Sequence, residues 1–202
     1  SHKNDSLFAN SLTEMWARNG DAVSRLSEFA SFLYEQHCAS SQGDVPTDLR
    51  ATFDDIKVFR RLFGLRLNTK TPYETEAAKA MKMDDVKFAL RIVAASEKCI
   101  GFHCDGGYAT RTAQIPLNDT SEYDGGELYF ATKSGDLFTM PRLPGSMTIH
   151  ERSTLHGVAS VRRGFRKSLF LVNRSNGLGE EGVLVVTDQH VRSFLRGFAA
   201  AT

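Results

Sequence analysis

An antiparallel β-sheet architecture with helices packed against it is what this sequence predicts. Three observations lead there. Helical periodicity occupies the opening stretch. Short alternating or apolar runs crowd most of the remainder. Glycine-rich or polar turns separate most of those runs. At 202 residues the chain is long enough for one domain with a real core. The expectation is a single domain over 1–202, with a helical N-terminal part at about 1–82, a β core at about 83–187 and a C-terminal helix at about 188–201.

Residues 6–37 read as one or two helices. Leu7, Leu12, Met15 and Trp16, then Val23, Leu26, Phe29, Ala30 and Leu33, recur at three- and four-residue steps. Gly20-Asp21 interrupts the pattern, and Asp21 suits the cap of a second helix. Residues 39–48 are small and polar around Gly43 and Pro46, which reads as a loop. From Phe53 a helix is expected through Phe63, ending near Gly64, and 75–82 reads as another short helix. The character then changes. Val86, Phe88, Leu90 and Ile92 alternate with Lys87, Ala89, Arg91 and Val93, the pattern of a half-buried strand. Further strands are expected near 98–104, 111–117, 127–132, 136–140, 146–150, 157–161, 167–173 and 182–187. Asp188 to Ala201 reads as a helix with Val191, Phe194, Leu195 and Phe198 on one face.

Composition weighs against several classes without excluding nucleic acid, since Arg162, Arg163, Arg166 and Lys167 form a local basic cluster. Lys and Arg total 25 against 24 Asp and Glu, so no bulk field favours nucleic acid or an acidic membrane surface. The longest apolar run is far short of a membrane span. Cys38, Cys99 and Cys104 are odd in number and show no C-x-x-C spacing, so neither a disulfide framework nor a zinc cluster is indicated. Reduced thiols fit a cytoplasmic or nuclear setting.

The chemistry-bearing stretch is His103-Cys104-Asp105, followed by His156 and then Arg166. Two imidazoles and one carboxylate can occupy one face of a metal, the arrangement of non-haem Fe(II) oxygenases. In a strand, residues two apart point the same way, so His103 and Asp105 can reach one ion while Cys104 points elsewhere. His156 then has to come from a strand distant in sequence. Arg166 is a fixed cation able to grip a carboxylate with two hydrogen bonds. His150 is a rival ligand near His156, whereas His2, His37 and His190 read as surface or structural residues.

These residues sit in longer segments: Gly101-Phe-His-Cys-Asp-Gly106, Tyr123-Asp-Gly-Gly-Glu-Leu-Tyr-Phe130, Pro144-Gly-Ser-Met147 and His156-Gly-Val-Ala-Ser-Val-Arg-Arg-Gly-Phe-Arg166. In that order they resemble the 2-oxoglutarate- and Fe(II)-dependent dioxygenases, particularly the prolyl-hydroxylase-like branch. The resemblance covers roughly 86–172. It implies an α+β, mainly β fold: a double-stranded β-helix, or distorted jelly roll, with the N-terminal helices packed on the sheet. It implies that His103, Asp105 and His156 hold Fe(II), and that Arg166 binds the distal carboxylate of 2-oxoglutarate. His156 is preferred to His150 because Gly157-Val158, Val161, Gly164 and Arg166 follow it in the family pattern. Ser168, in Arg166-Lys-Ser168, is expected to assist the arginine. Gly125-Gly126 reads as a turn that lets Glu127-Leu-Tyr-Phe130 enter the barrel, with Leu128 lining the pocket and Phe130 on its face. Tyr108 and Arg111 follow the H-x-D where a loop can present them to substrate. Where relatives carry tyrosines that hold the co-substrate, a rough alignment places Val93, Ile100 and Ile115, which implies a more apolar pocket.

The activity implied by the resemblance is oxidation of a protein or peptide side chain or a small molecule, with 2-oxoglutarate and dioxygen as co-substrates and release of succinate and CO2. Related halogenases lack the carboxylate, so Asp105 implies hydroxylation or an oxidative variant such as demethylation, desaturation or ring formation. Two other readings use the same residues. One is a metal-dependent cupin-type enzyme without 2-oxoglutarate, against which the downstream arginine argues. The other is a catalytically silent binding module, against which the complete ligand set argues.

Overall fold

The computed structural model describes residues 21–41, 45–53, 56–63, 86–106, 109–173 and 183–201. The expected helices over 6–20 and 75–82 lie outside these described residues. The first helix, α1 (Ala22–Ser40), buries the stripe that its spacing dictates: Leu26, Phe29, Ala30 and Leu33. Asp21 stands at its N-cap position, but its side chain makes no capping hydrogen bond. The helix also runs further than expected, into the stretch read as a loop.

The main departure from the sequence reading follows at once. Asp48–Phe53 is a strand, β1, inside the part expected to be helical and loop. Its burial alternates, with Leu49, Ala51 and Phe53 inside. The segment is short, and the partners that make it a strand are remote in sequence. It lies antiparallel to β2 (Val86–Ala94) and parallel to β11 (Val183–Val186), with Arg50 opposite Val183. A short helix, α2 (Ile56–Arg61), follows β1.

The remaining strands are β3 (Ile100–His103), β4 (Arg111–Pro116), β5 (Tyr123–Gly125), β6 (Leu128–Ala131), β7 (Leu137–Thr139), β8 (Thr148–Glu151), β9 (His156–Val158) and β10 (Val161–Asn173). The last helix, α3, is Asp188–Ala201. Of these, β5 was not anticipated. Positions 161–173 form one strand where the sequence suggested two ends and a gap. That strand carries its irregularity internally, at Gly164, whose φ is +74°. A Cβ there would lie 2.3 Å from the Glu122 carbonyl oxygen, so the close crossing of β5 over β10 requires glycine.

Two sheets result. The seven-stranded sheet runs β11-β1-β2-β10-β4-β8, with β5 pairing the early part of β10. The four-stranded sheet runs β3-β9-β6-β7. Strand alternation sorts the large sheet's side chains onto two faces. Leu49, Ala51, Leu90, Ile92, Ala113, Ile115, Leu169 and Leu171 face the helices and build the core with Leu26, Phe29 and Leu33. Phe29 also meets Phe194 of α3 edge-on, with ring centroids 5.2 Å apart. Each fully buried side chain of this size contributes roughly 1.5–3 kcal/mol. The opposite face, carrying Thr112, Gln114, Arg166 and Ser168, is buried and polar. Arg166 and Ser168, two of the candidate site residues, stand on that face.

Candidate metal centre

β3 and β9 are antiparallel neighbours, and their register sets His103 directly opposite His156. The two ring centroids are 4.4 Å apart. Asp105 lies just past the end of β3 and is fully buried. Its Oδ1 is 3.7 Å from His103 Nε2 and 3.6 Å from His156 Nε2. All three donor atoms lie within 4.8 Å of one another. Donors about 2.1 Å from one ion and at right angles lie about 3 Å apart, so small side-chain shifts close this set on a metal.

The other polar atom of each candidate ligand is already committed. His103 Nδ1–H donates to the Gly101 carbonyl at 2.9 Å, and His156 Nδ1–H to the Thr154 carbonyl at 2.9 Å. Each bond fixes the tautomer that leaves Nε2 with a free lone pair facing Asp105. Burial holds His156 below the ordinary imidazole range, which keeps that lone pair available. Asp105 is oriented in the same way. Its Oδ2 accepts from the Thr112 hydroxyl at 2.6 Å and from His150 Nε2 at 3.0 Å, so Oδ1 turns to the two histidines. Two imidazole nitrogens and one carboxylate oxygen on one face are the donor set that suits Fe(II).

His150 thus stands behind the carboxylate and not among the three converging donors. Its Nδ1 is buried without a partner and its ring meets Phe130 edge-on at 5.6 Å. Phe130, paired with His156 in register, covers that histidine with ring centroids 5.9 Å apart. Leu128 is buried on the same face as Phe130. His103 is the more open side of the centre, beside the exposed Phe102.

A second polar site lies next to the first. Arg166 is fully buried on β10 and donates through Nη2 to Gln114 Oε1 at 3.1 Å. Its Nε has no partner. Asn118 fixes the backbone on both sides of it, donating to the Phe165 carbonyl and accepting from Lys167 N–H. Gly126, at φ +68°, leaves room for the side chain; a Cβ there would lie 2.8 Å from Arg166 Cδ. A second buried arginine shares the pocket. Arg142 donates to the Tyr123 hydroxyl at 3.2 Å, to Ser168 Oγ at 2.9 Å, and to Gln114 Oε1. Burial, then the charge of Arg142, pushes Arg166 well below the ordinary arginine range. A guanidinium stays protonated in proteins, so both arginines are buried cations.

Several expectations change. Ser168 serves Arg142 and not Arg166. Ile115 packs in the helix-side core, so it is not a pocket position; its neighbour Gln114 is. Val93, by contrast, pairs with Arg166 and shares its face. The pocket therefore keeps Val93 as an apolar wall, but Gln114, Arg142 and Arg166 make it polar and cationic beyond what the substitution of tyrosines alone implied. Arg111 reaches Glu151 at 3.5 Å on a neighbouring strand, and Tyr108 lies outside the described residues. The sequence reading did not single out Thr112, Gln114, Tyr123 or Arg142. The polar alternation of Thr112 and Gln114 with Ala113 and Ile115 was a usable signal. Arg142, between Pro141 and Leu143-Pro144 in an irregular segment, offered none.

No family model matches the chain, and no curated protein matches it in sequence. Solved structures do. The prolyl hydroxylase from Trichoplax adhaerens, in complex with a hypoxia inducible factor oxygen degradation domain peptide fragment, matches 86% of this chain and 91% of its own. Its identity is 13% and its TM-score 0.53. AviO1 from Streptomyces viridochromogenes matches 79% of this chain and 87% of its own at 16% identity, with a TM-score of 0.49. A 2OG-Fe(II) oxygenase family oxidoreductase from Burkholderia pseudomallei matches 54% of this chain at 18% identity, with a TM-score of 0.40; the match spans 57% of that protein's length. At 13% identity the likeness to the Trichoplax protein is one of fold. The chain is built on the double-stranded β-helix that the Trichoplax prolyl hydroxylase shares.

Proposed function

We propose that this protein is an Fe(II)- and 2-oxoglutarate-dependent oxygenase of the hydroxylase type. The observation that carries the reading is the convergence of His103 Nε2, His156 Nε2 and Asp105 Oδ1 beside a buried arginine pocket. The two sites are two steps apart on one strand: Thr112 holds the carboxylate of the first, and Gln114 meets the arginine of the second. Two residues along a strand span about 6.6 Å. A five-carbon dicarboxylate has the length to join them, with its 2-oxo acid end at the metal and its far carboxylate at Arg166.

Iron held by His103, Asp105 and His156 would supply dioxygen activation coupled to decarboxylation of the 2-oxo acid. The chain's own residues do the rest. The Gly101 and Thr154 carbonyls hold both imidazoles in the ligating tautomer. Thr112 and His150 keep Asp105 turned inward. Phe130 excludes water from one side of the centre. Arg166 orients the co-substrate by its distal end. The open side at His103 is where a substrate would approach, and the peptide carried by the Trichoplax enzyme makes a protein side chain the first class to test, ahead of a small molecule.

Anaerobic protein with Fe(II) should develop a visible absorption band when 2-oxoglutarate is added, and should form succinate in air. His103→Ala, Asp105→Ala and His156→Ala should each abolish iron-dependent succinate formation while remaining folded. Normal turnover by His156→Ala would refute the ligand set. Absence of any spectral change with 2-oxoglutarate would favour a metal enzyme that does not use this co-substrate.

A further inference from the structure

We propose that Arg142 and Arg166 form a two-guanidinium clamp for the distal carboxylate of a dicarboxylate ligand, with Gln114 Oε1 holding the anion's place until it binds. The proposal rests on the oxygenase reading for the identity of the ligand. The clamp itself rests on geometry. Both guanidiniums donate to the one amide oxygen of Gln114. Among the described residues, no carboxylate lies within ion-pair distance of either arginine; the ion pairs nearby are Arg91 with Asp48 and the histidines with Asp105. An amide oxygen carries only a partial charge, so two buried cations share less negative charge than one of them needs. Arg166 Nε is buried and meets no acceptor among the described residues.

Arg142 is held as firmly as Arg166, although it comes from an irregular segment. Tyr123, Ser168 and Gln114 accept from its Nε, Nη2 and Nη1 in turn. Such preorganisation removes most of the ordering cost from anion binding. A carboxylate entering between the two side chains would displace Gln114 Oε1 and replace a partial charge with a full one. Charge-assisted hydrogen bonds of that kind are roughly twice as strong as neutral ones. Arg142 is therefore an anchoring residue that makes the pocket strict: a 2-oxo acid lacking the second carboxylate would leave both cations unmet.

The test is calorimetric titration of the full chain, metal-free and with Mn(II), using 2-oxoglutarate and glutarate. Glutarate, which lacks the 2-oxo group, reads the clamp alone. The extra affinity of 2-oxoglutarate in the presence of Mn(II) reads the metal-dependent function. Arg142→Met should weaken both ligands by about tenfold to a hundredfold without changing Mn(II) affinity, and Arg142→Lys should restore part of the loss. Gln114→Glu places a carboxylate between the cations. It should raise the melting temperature of the ligand-free protein and abolish glutarate binding, and it tests the clamp even if Arg142→Met fails to fold. Wild-type affinity for glutarate in either Arg142→Met or Gln114→Glu would overturn the clamp and leave the oxygenase reading standing. Arg142-dependent glutarate binding with no Mn(II)-dependent gain for 2-oxoglutarate would support the clamp and sink the oxygenase reading. A wild-type protein that binds neither diacid would overturn both.

Discussion

Asp105 has two oxygens with separate duties, one toward the histidine pair and one toward Thr112 and His150. The second duty decides how well the first is done. Thr112→Val keeps the side-chain shape and removes the 2.6 Å hydrogen bond. Loss of an outer partner of this kind typically costs about 10–100-fold in metal affinity. Titration with Mn(II) should show a loss of that order at unchanged secondary structure; an unaltered affinity would mean that His150 alone orients the carboxylate. The three candidate donors were legible in the sequence as a group, and the structure brings them together, because H-x-D at a strand end sets two of them side by side and the segment from His156 to Arg166 is distinctive. Their supports were less so. Thr112, Gln114 and Tyr123 become meaningful only once register brings β4 and β5 against β10, and β8 against β4. Ser168 shows the same limit: alternation put it on the right face, but not against the right arginine.

Elements succeed or fail at their crossings. Gly125-Gly126 was read as a turn, and both residues do have positive φ. The deeper reason is contact. A Cβ on Gly125 would lie 2.2 Å from the Ser160 carbonyl oxygen, and one on Gly126 would meet Arg166. Gly126→Ala should therefore destabilise the protein by about 1–2 kcal/mol from the left-handed backbone alone, and should also weaken glutarate binding by displacing the Arg166 side chain. Denaturant melts together with the titration separate these effects; normal binding in a destabilised variant would show that Arg166 accommodates the methyl group. β1 was missed for a different reason. Asp48-Leu-Arg-Ala-Thr-Phe53 alternates, but it is short and follows Pro46 in a polar stretch. Its strand character is conferred by β2 and β11, which local pattern cannot reveal. β2 itself was legible because nine residues of alternation outweigh local ambiguity.

Across the whole molecule, the large sheet keeps stability on one face and chemistry on the other. Phe29 anchors the helix side, touching the rings of Phe32, Phe53 and Phe194. Phe29→Ala should cost about 3–5 kcal/mol, read by thermal or denaturant unfolding, while Mn(II) affinity below the melting temperature stays near wild type. A large loss of metal affinity in the still-folded variant would mean that the two faces are coupled. The overall architecture was legible from the order of helices and strands. The pairing across the sheet edge was not, since β1 and β11 come from opposite ends of the chain and lie parallel. That pairing has a consequence for biogenesis. As the chain leaves the ribosome, β1 waits with one edge uncovered until Val183–Val186 emerge, and Phe29 waits for Phe194. Contacts of such long range slow folding and leave sticky surfaces open meanwhile. A nascent chain arrested before Val183 should bind chaperones and yield to protease, whereas the same chain released after α3 should not. Completion of this fold waits on the synthesis of β11 and α3.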